Sequence, residues 1–241
     1  MFHKLFKTLV DTQDMPALIA HLNGNPNIGL YGFCTDKYVL VGKEVFPELA
    51  AKIGKALKVP VHRITIAGTS FIGVFLAGNS HALLVPSLIF DYELEALKKF
   101  KLPIQVMDTR LTCLGNNILC NDQGAIISPE FTQQEMQFIQ KALKVPVQKA
   151  KLVSLDNLGS LAALNKRAAL IHMDASEEDF QLIKKVLNLK AFPGTINLGN
   201  PYIKAGLLCN DQGYVVGEQS GGPEMVYLEQ CLGFAGKVED E

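Results

Sequence analysis

The five residues CNDQG occur twice in this chain, at 120–124 and again at 209–213, inside the similar settings ILCNDQGAII and LLCNDQGYVV. An internal repeat constrains a fold more than any single element, because every copy must adopt the same local structure and bury its apolar face against its neighbours. Matching turns begin at Thr35, Asn79, Asn121, Asn165 and Asn210, spaced 44, 42, 44 and 45 residues apart. A second echo, ALKVP at 56–60 and 142–146, lies 86 residues apart, about two periods. The chain therefore reads as five units of about 44 residues.

Each unit reads alike. An apolar residue and a glycine stand six residues before the turn in four units: Ile28-Gly29, Ile72-Gly73, Leu114-Gly115 and Leu158-Gly159; the fifth has Ile203-Lys204. A short strand is expected to run from there into the turn. After the turn come the compact apolar runs YVLV (38–41), ALLV (82–85), AII (125–127), AALI (168–171) and YVV (214–216). Runs this short and continuously apolar suit strands buried on both faces. Asn at the start of the turn, with Gly124 or Gly213 at its end, fits a hairpin containing a left-handed residue. Helical spacing follows. Thr132 with Glu135, and Ser176 with Asp179, form capping boxes, and Asp91 is the expected N-cap of the second helix. A proline-containing exit then leads to a closing strand in VPVHRITIA (59–67), LPIQVMDTRL (102–111) and VPVQKAKLV (145–153).

The fifth unit ends at Phe234 with no closing strand left, whereas IAHLNGNPNIG (19–29) aligns with ITIAGTSFIG (64–73). The N-terminal strand is thus expected to complete the last unit and close a ring, which removes exposed sheet edges. The expected organisation is an extension over 1–14 and a single domain over 15–235. Within it the repeats fall at about 26–68, 69–112, 113–156, 157–200 and 201–234, with the closing strand at 17–24. A short acidic tail occupies 236–241.

Composition removes several functional classes. Lys and Arg number 23 against 24 Asp and Glu, so no global basic excess drives tight binding to bare nucleic acid. The five cysteines include no CxxC pair, which argues against a disulfide framework or a zinc ribbon and for a reducing, cytoplasmic setting. No apolar run reaches the ~18 residues of a spanning helix, and MFHKLFKTLV lacks the apolar core of a secretory signal. Cys34, Cys120 and Cys209 each precede a turn in a different unit and read as small core residues. His81 and His172 have no partner at ligand spacing, so no metal or other cofactor is expected.

Five ββα-type units closed by the N-terminal strand resemble the α/β pentein fold. The stretches IAGTSFIGVFLAGNSHALLVP (66–86), LTCLGNNILCNDQGAIISPE (111–130) and GTINLGNPYIKAGLLCNDQGYVVG (194–217) are similar to the translation initiation factor six family, and the start NGNPNIG resembles its archaeal form. His172-Met173 departs from the His-Pro more usual there. The resemblance implies a monomeric, non-enzymatic factor that binds the large ribosomal subunit on its joining face. There it touches a ribosomal protein beside the sarcin–ricin loop with some rRNA contact, blocks the small subunit sterically, and acts in large-subunit biogenesis. It implies no membrane and no small-molecule substrate. Carried onto this chain, the contact surface is Gly29 and Leu30, Gly73 and Val74, Leu114, Gly115 and Asn116, Gly159 and Ser160, and Lys204. A bare structural repeat requires the glycines but not the side chains of Val74, Asn116 or Lys204. The basic cluster KALKVPVQKAK (141–151) offers lysines to rRNA phosphate, half of them on the solvated face of a helix.

A second reading comes from other penteins, which are guanidine-modifying enzymes with a late Cys nucleophile. Here Cys231 would be that nucleophile and His172 the base. Against it, Cys231 stands at helical spacing with Leu228 and Leu232 rather than in an accessible loop.

Overall fold

The computed structural model describes residues 17–235; the expected extension at 1–14 and the acidic tail at 236–241 lie outside the described residues. Five three-stranded sheets repeat one topology: an antiparallel hairpin followed by a parallel third strand. In the first unit β2 (Gly32–Cys34) pairs with β3 (Val39–Gly42), which pairs with β4 (Val61–Ile64). The next three units supply β5 (Ala77–Gly78), β6 (Leu83–Pro86) and β7 (Ile104–Met107); β8 (Ile118–Cys120), β9 (Ala125–Ile127) and β10 (Val147–Lys149); and β11 (Ala162–Leu164), β12 (Ala168–His172) and β13 (Lys190–Gly194). The fifth has β14 (Leu207–Cys209) and β15 (Tyr214–Gly217). Its parallel third strand is β1 (Ala17–Ala20), with Ala17 opposite Tyr214 and Ala20 opposite Gly217.

The middle strand of each sheet is buried throughout and, His172 and Tyr214 aside, carries no polar side chain, because it has no solvent face. Val39 and Val41 join a core shared with the fifth unit, while Tyr38 and Leu40 join one shared with the second. The same alternation sends Ala125 and Ile127 one way and Ile126 the other. Five cores result, each lying between two adjacent units and completed by only both of them. No unit buries its own faces alone, so each depends on its two neighbours.

One long helix covers each unit: α1 (Pro47–Leu57), α2 (Asp91–Lys99), α3 (Gln133–Leu143), α4 (Glu177–Leu187) and α5 (Gly222–Leu232). The two capping boxes stand as expected at Thr132–Glu135 and Ser176–Asp179. Asp91 is not the N-cap of α2. Phe90 takes that place, and its N–H donates to Glu93, three residues on. The carboxylate at this third position does a second job. Glu93 also accepts from the N–H groups of Ala67 and Gly68, and Glu224 accepts from those of Leu198 and Gly199. Each thereby ties a helix start to the tight hairpin that ends a preceding third strand. Asp179 holds Val153 in the same way.

The turn glycines also differ from expectation. Neither Gly124 nor Gly213 adopts a positive φ. The Asn121 side chain accepts from the N–H of Gln123 and of Gly124, so the amide builds the turn. Gly124 is required for space, because a Cβ there would strike the Val186 carbonyl of the next unit's helix.

Candidate functional site

The apolar-Gly segments do not run directly into strands. They form single helical turns at Ile28–Tyr31, Ile72–Phe75, Leu114–Asn117, Leu158–Ser160 and Ile203–Gly206, which gather around the ring axis on one face. A Cβ on Gly73 would collide with the Gly29 carbonyl, one on Gly115 with that of Gly73, and one on Gly159 with that of Gly115. A Cβ on Gly29 would collide with the Lys204 carbonyl, so the first turn packs on the fifth and the circle is complete. In four of the five units only glycine fits this close an approach of backbone to backbone.

The ten candidate positions separate by this geometry. Gly29, Gly73, Leu114, Gly115 and Gly159 are buried between units and present no side chain to a partner. Leu30, Val74, Asn116 and Ser160 are half-buried and each directly follows a packed glycine in sequence. Phe71 and Tyr202, each preceding a single turn, are exposed on the same rim, where Phe71 stacks on Tyr31 with ring centroids 5.4 Å apart. A cavity of about 200 Å³ opens among Leu30, Asn116, Asn157, Ser160, Tyr202 and Lys204.

Lys204 occupies the place that glycine holds in the other four units, and its side chain runs across the axis. The ammonium donates to the Gly115 carbonyl of the third unit at 2.6 Å. Burial pushes its pKa down to about 8, against a smaller upward pull from Cys120 and Cys34. Beyond it lies a second cavity of about 120 Å³, lined in part by Cys34, Cys120 and Cys209. Lys204 therefore divides the axial space in two.

The opposite face is made by the hairpin turns, and its side chains are used internally. Asn79 donates to the carbonyls of Asn121 and Leu143; Asn121 donates to Leu187, Asn165 to Leu232, and Asn210 to Thr35 and Leu57. In each case the asparagine of one unit satisfies the last carbonyl of the next unit's helix, a group that the helix itself leaves without a partner. Asp122, Asp211 and Asp36 accept backbone N–H groups from the unit before: Ser80, Lys166 and Asp211 respectively. The three turn cysteines donate across the same junctions, Cys34 to Cys209, Cys120 to Gly78 and Cys209 to Leu164. Burial pushes the Cys34 and Cys120 thiols up to about 12, which suits packed donors rather than nucleophiles. Lys166 bridges Asp36 at 2.6 Å and Asp211 at 3.0 Å. Burial alone would raise the Asp36 carboxyl, but hydrogen bonds from Lys166 and the Asp211 N–H hold it below its ordinary value.

The residues of the enzymatic reading are not set up for attack. Cys231 is buried in α5, and burial raises its thiol pKa. His172 is buried in β12, where Nδ1 accepts the Asp174 N–H at 3.1 Å. Among the described residues no cluster of three metal-ligating side chains occurs, and no helix is long and apolar enough to cross a membrane. Two lysines of the basic cluster are already engaged, Lys149 with the Phe131 carbonyl and Lys151 with Asp156.

Comparison with known proteins agrees with the repeat architecture and the order of its motifs. A family model described as the eIF-6 family matches residues 18–231. Translation initiation factor 6 from Thermococcus onnurineus is 33% identical, with 87% of this chain and 95% of the relative covered. The protein of the same name from Haloquadratum walsbyi is 32% identical over 93% of this chain and 100% of its own length. That from Staphylothermus marinus is 34% identical over 88% and 95%. Among solved structures, DDAH from Pseudomonas aeruginosa in complex with citrulline has a TM-score of 0.46 at 11% identity, covering 69% of this chain and 68% of that one, too distant to bear on function. The chain belongs to the eIF-6 family and stands among the translation initiation factors.

Proposed function

We propose that this protein binds the large ribosomal subunit through the face of single helical turns and sterically prevents the small subunit from joining. The observation that carries the reading is the contrast in side-chain use on that face. Its backbone is locked by buried glycines, while Leu30, Val74, Asn116 and Ser160 stand half-exposed beside them, ringed by Phe71 and Tyr202. A rigid backbone carrying small side chains and a few aromatics is the composition of a protein-binding patch that loses little entropy on docking. A standard contact of ~800 Å² per partner would span this face.

The partner is a ribosomal protein beside the sarcin–ricin loop, with rRNA phosphate at the rim. The near-neutral net charge of −1 suits that mixture better than a purely nucleic-acid target. The factor acts as a rigid cytoplasmic monomer without catalysis, and the same occlusion serves large-subunit biogenesis.

The test is co-sedimentation with purified large subunits on a sucrose gradient, followed by addition of small subunits. The reading expects a stoichiometric complex and loss of the joined-ribosome peak. Failure to travel with large subunits at low salt overturns it. Turnover of a guanidine substrate abolished by Cys231→Ser would instead establish the enzymatic reading.

A further inference from the structure

We propose that the axial cavity beside Lys204 is a binding site for a small oxyanion, such as sulfate, phosphate or a carboxylate. The argument begins with charge. The ammonium of Lys204 is held inside the ring, and no acidic side chain lines the cavity on either side of it among the described residues. Its one hydrogen bond goes to the Gly115 carbonyl, which leaves two N–H donors for the cavity. An enclosed cation normally has a carboxylate partner, because removing it from water is costly. Here none is supplied by the described residues.

The remaining lining is polar and rich in donors. The Asn116 and Tyr202 side chains make no hydrogen bond among the described residues, and both residues line the same cavity as Lys204. Asn157 gives one amide hydrogen to Ser160 and keeps the other. The set thus offers an ammonium, two amides and a phenol around one void. At about 200 Å³ the void is smaller than the cavities that hold drug-sized ligands, and it is roomy for a tetrahedral oxyanion with a water or two. Glycine at this position in the other four units shows that the ring does not need a lysine to close. The side chain is an addition to the repeat, and among the described residues it brings the only charged group to either cavity lining.

Neutralisation of the amine gives the site a pH dependence. With its pKa near 8, Lys204 is mostly charged at pH 7 and mostly neutral at pH 9.5. The occupant's charge must stay constant for this to be read, so sulfate is the probe of choice.

Equilibrium dialysis of radiolabelled sulfate against the full chain, at constant ionic strength, tests the proposal. The expected result is one saturable site per chain at pH 7, weakened by about tenfold or more at pH 9.5 and by about tenfold or more in Lys204→Met. Phosphate or acetate should displace the label while equimolar chloride does not. Absence of saturable binding, unchanged binding in folded Lys204→Met, or equal displacement by chloride overturns it. If Lys204→Met fails to fold, the wild-type pH comparison and Tyr202→Phe, expected to weaken binding several-fold, decide the matter. None of these measurements involves ribosomes, so their outcome is separate from that of the subunit-binding test.

Discussion

The two faces of the ring are built from the same five units yet use their side chains oppositely. On the turn face, asparagine, aspartate and cysteine side chains are spent on the neighbouring unit: at the junction between the last unit and the first, Asn210 contributes two bonds, at 3.1 and 2.9 Å, beside those of Cys34 and Asp36. On the face of single helical turns the junctions are made by backbone against backbone, through glycines. One face is fastened by side chains and the other by their absence. The second arrangement leaves side chains free to meet a partner, while the first leaves few to spare.

The comparison can be broken at its strongest point first. Gly115→Val places a branched side chain against the Gly73 and Leu76 carbonyls and the Lys204 ammonium. Overpacking against backbone cannot relax by a rotamer change, so denaturant unfolding should show a loss of about 3 kcal/mol or more. A loss under about 1 kcal/mol would mean that the axis is looser than described. On the fastened face, Asn210→Ala removes the side-chain bonds to the Thr35 and Leu57 carbonyls and to the Gln212 and Gly213 N–H groups, and leaves the buried Leu57 carbonyl without its partner, for an expected loss of about 2–3 kcal/mol in the same assay. The equivalent change at His81, an exposed turn residue, should cost under about 0.5 kcal/mol.

The carboxylates that start the helices sharpen the picture with pH. Burial alone would raise Glu93 and Glu224, but hydrogen bonds from Thr65 and the Gly68 N–H, and from Thr195 and the Gly199 N–H, outweigh it and hold both below the ordinary 4.5. A carboxylate depressed in the folded state contributes stability that is present above about pH 4.5 and is lost as the pH falls through the folded value. Thermal unfolding between pH 6 and 3 should therefore fall less steeply in Glu93→Gln/Glu224→Gln than in wild type, the variant having already lost about 1 kcal/mol per site at pH 6. Parallel curves would contradict the clasp.

Much of this architecture is legible in the sequence because it is periodic. The 42–45-residue spacing marks the units, the continuous apolar runs mark strands with two buried faces, and the similarity of 19–29 to 64–73 marks the strand that completes the fifth sheet. Capping boxes are local chemistry, and those at Thr132 and Ser176 are read directly. What local reading misses is pairing between units. Asn121 reads as a turn former, and it is one, but its amide nitrogen also reaches Leu187, 66 residues away. Gly124 reads as a left-handed residue and is instead a clearance for Val186, a residue whose proximity no local pattern reveals. Lys204 reads as a break in the glycine pattern. Only the ring shows that the break brings an ammonium onto the axis and splits the axial space in two. The repeat puts all ten candidate contact positions on the five single helical turns; burial then separates the glycines and Leu114, which build the face, from Leu30, Val74, Asn116, Ser160 and Lys204, which are half-buried on it.

The most direct test compares the two faces in one binding assay. Val74→Glu/Asn116→Lys alters the face of single helical turns, and His81→Glu/Gln123→Lys alters the turn face at exposed positions, with thermal unfolding of both expected within about 0.5 kcal/mol of wild type. Co-sedimentation with purified large subunits should be lost in the first variant and retained in the second. Retention in the first with loss in the second would contradict the account.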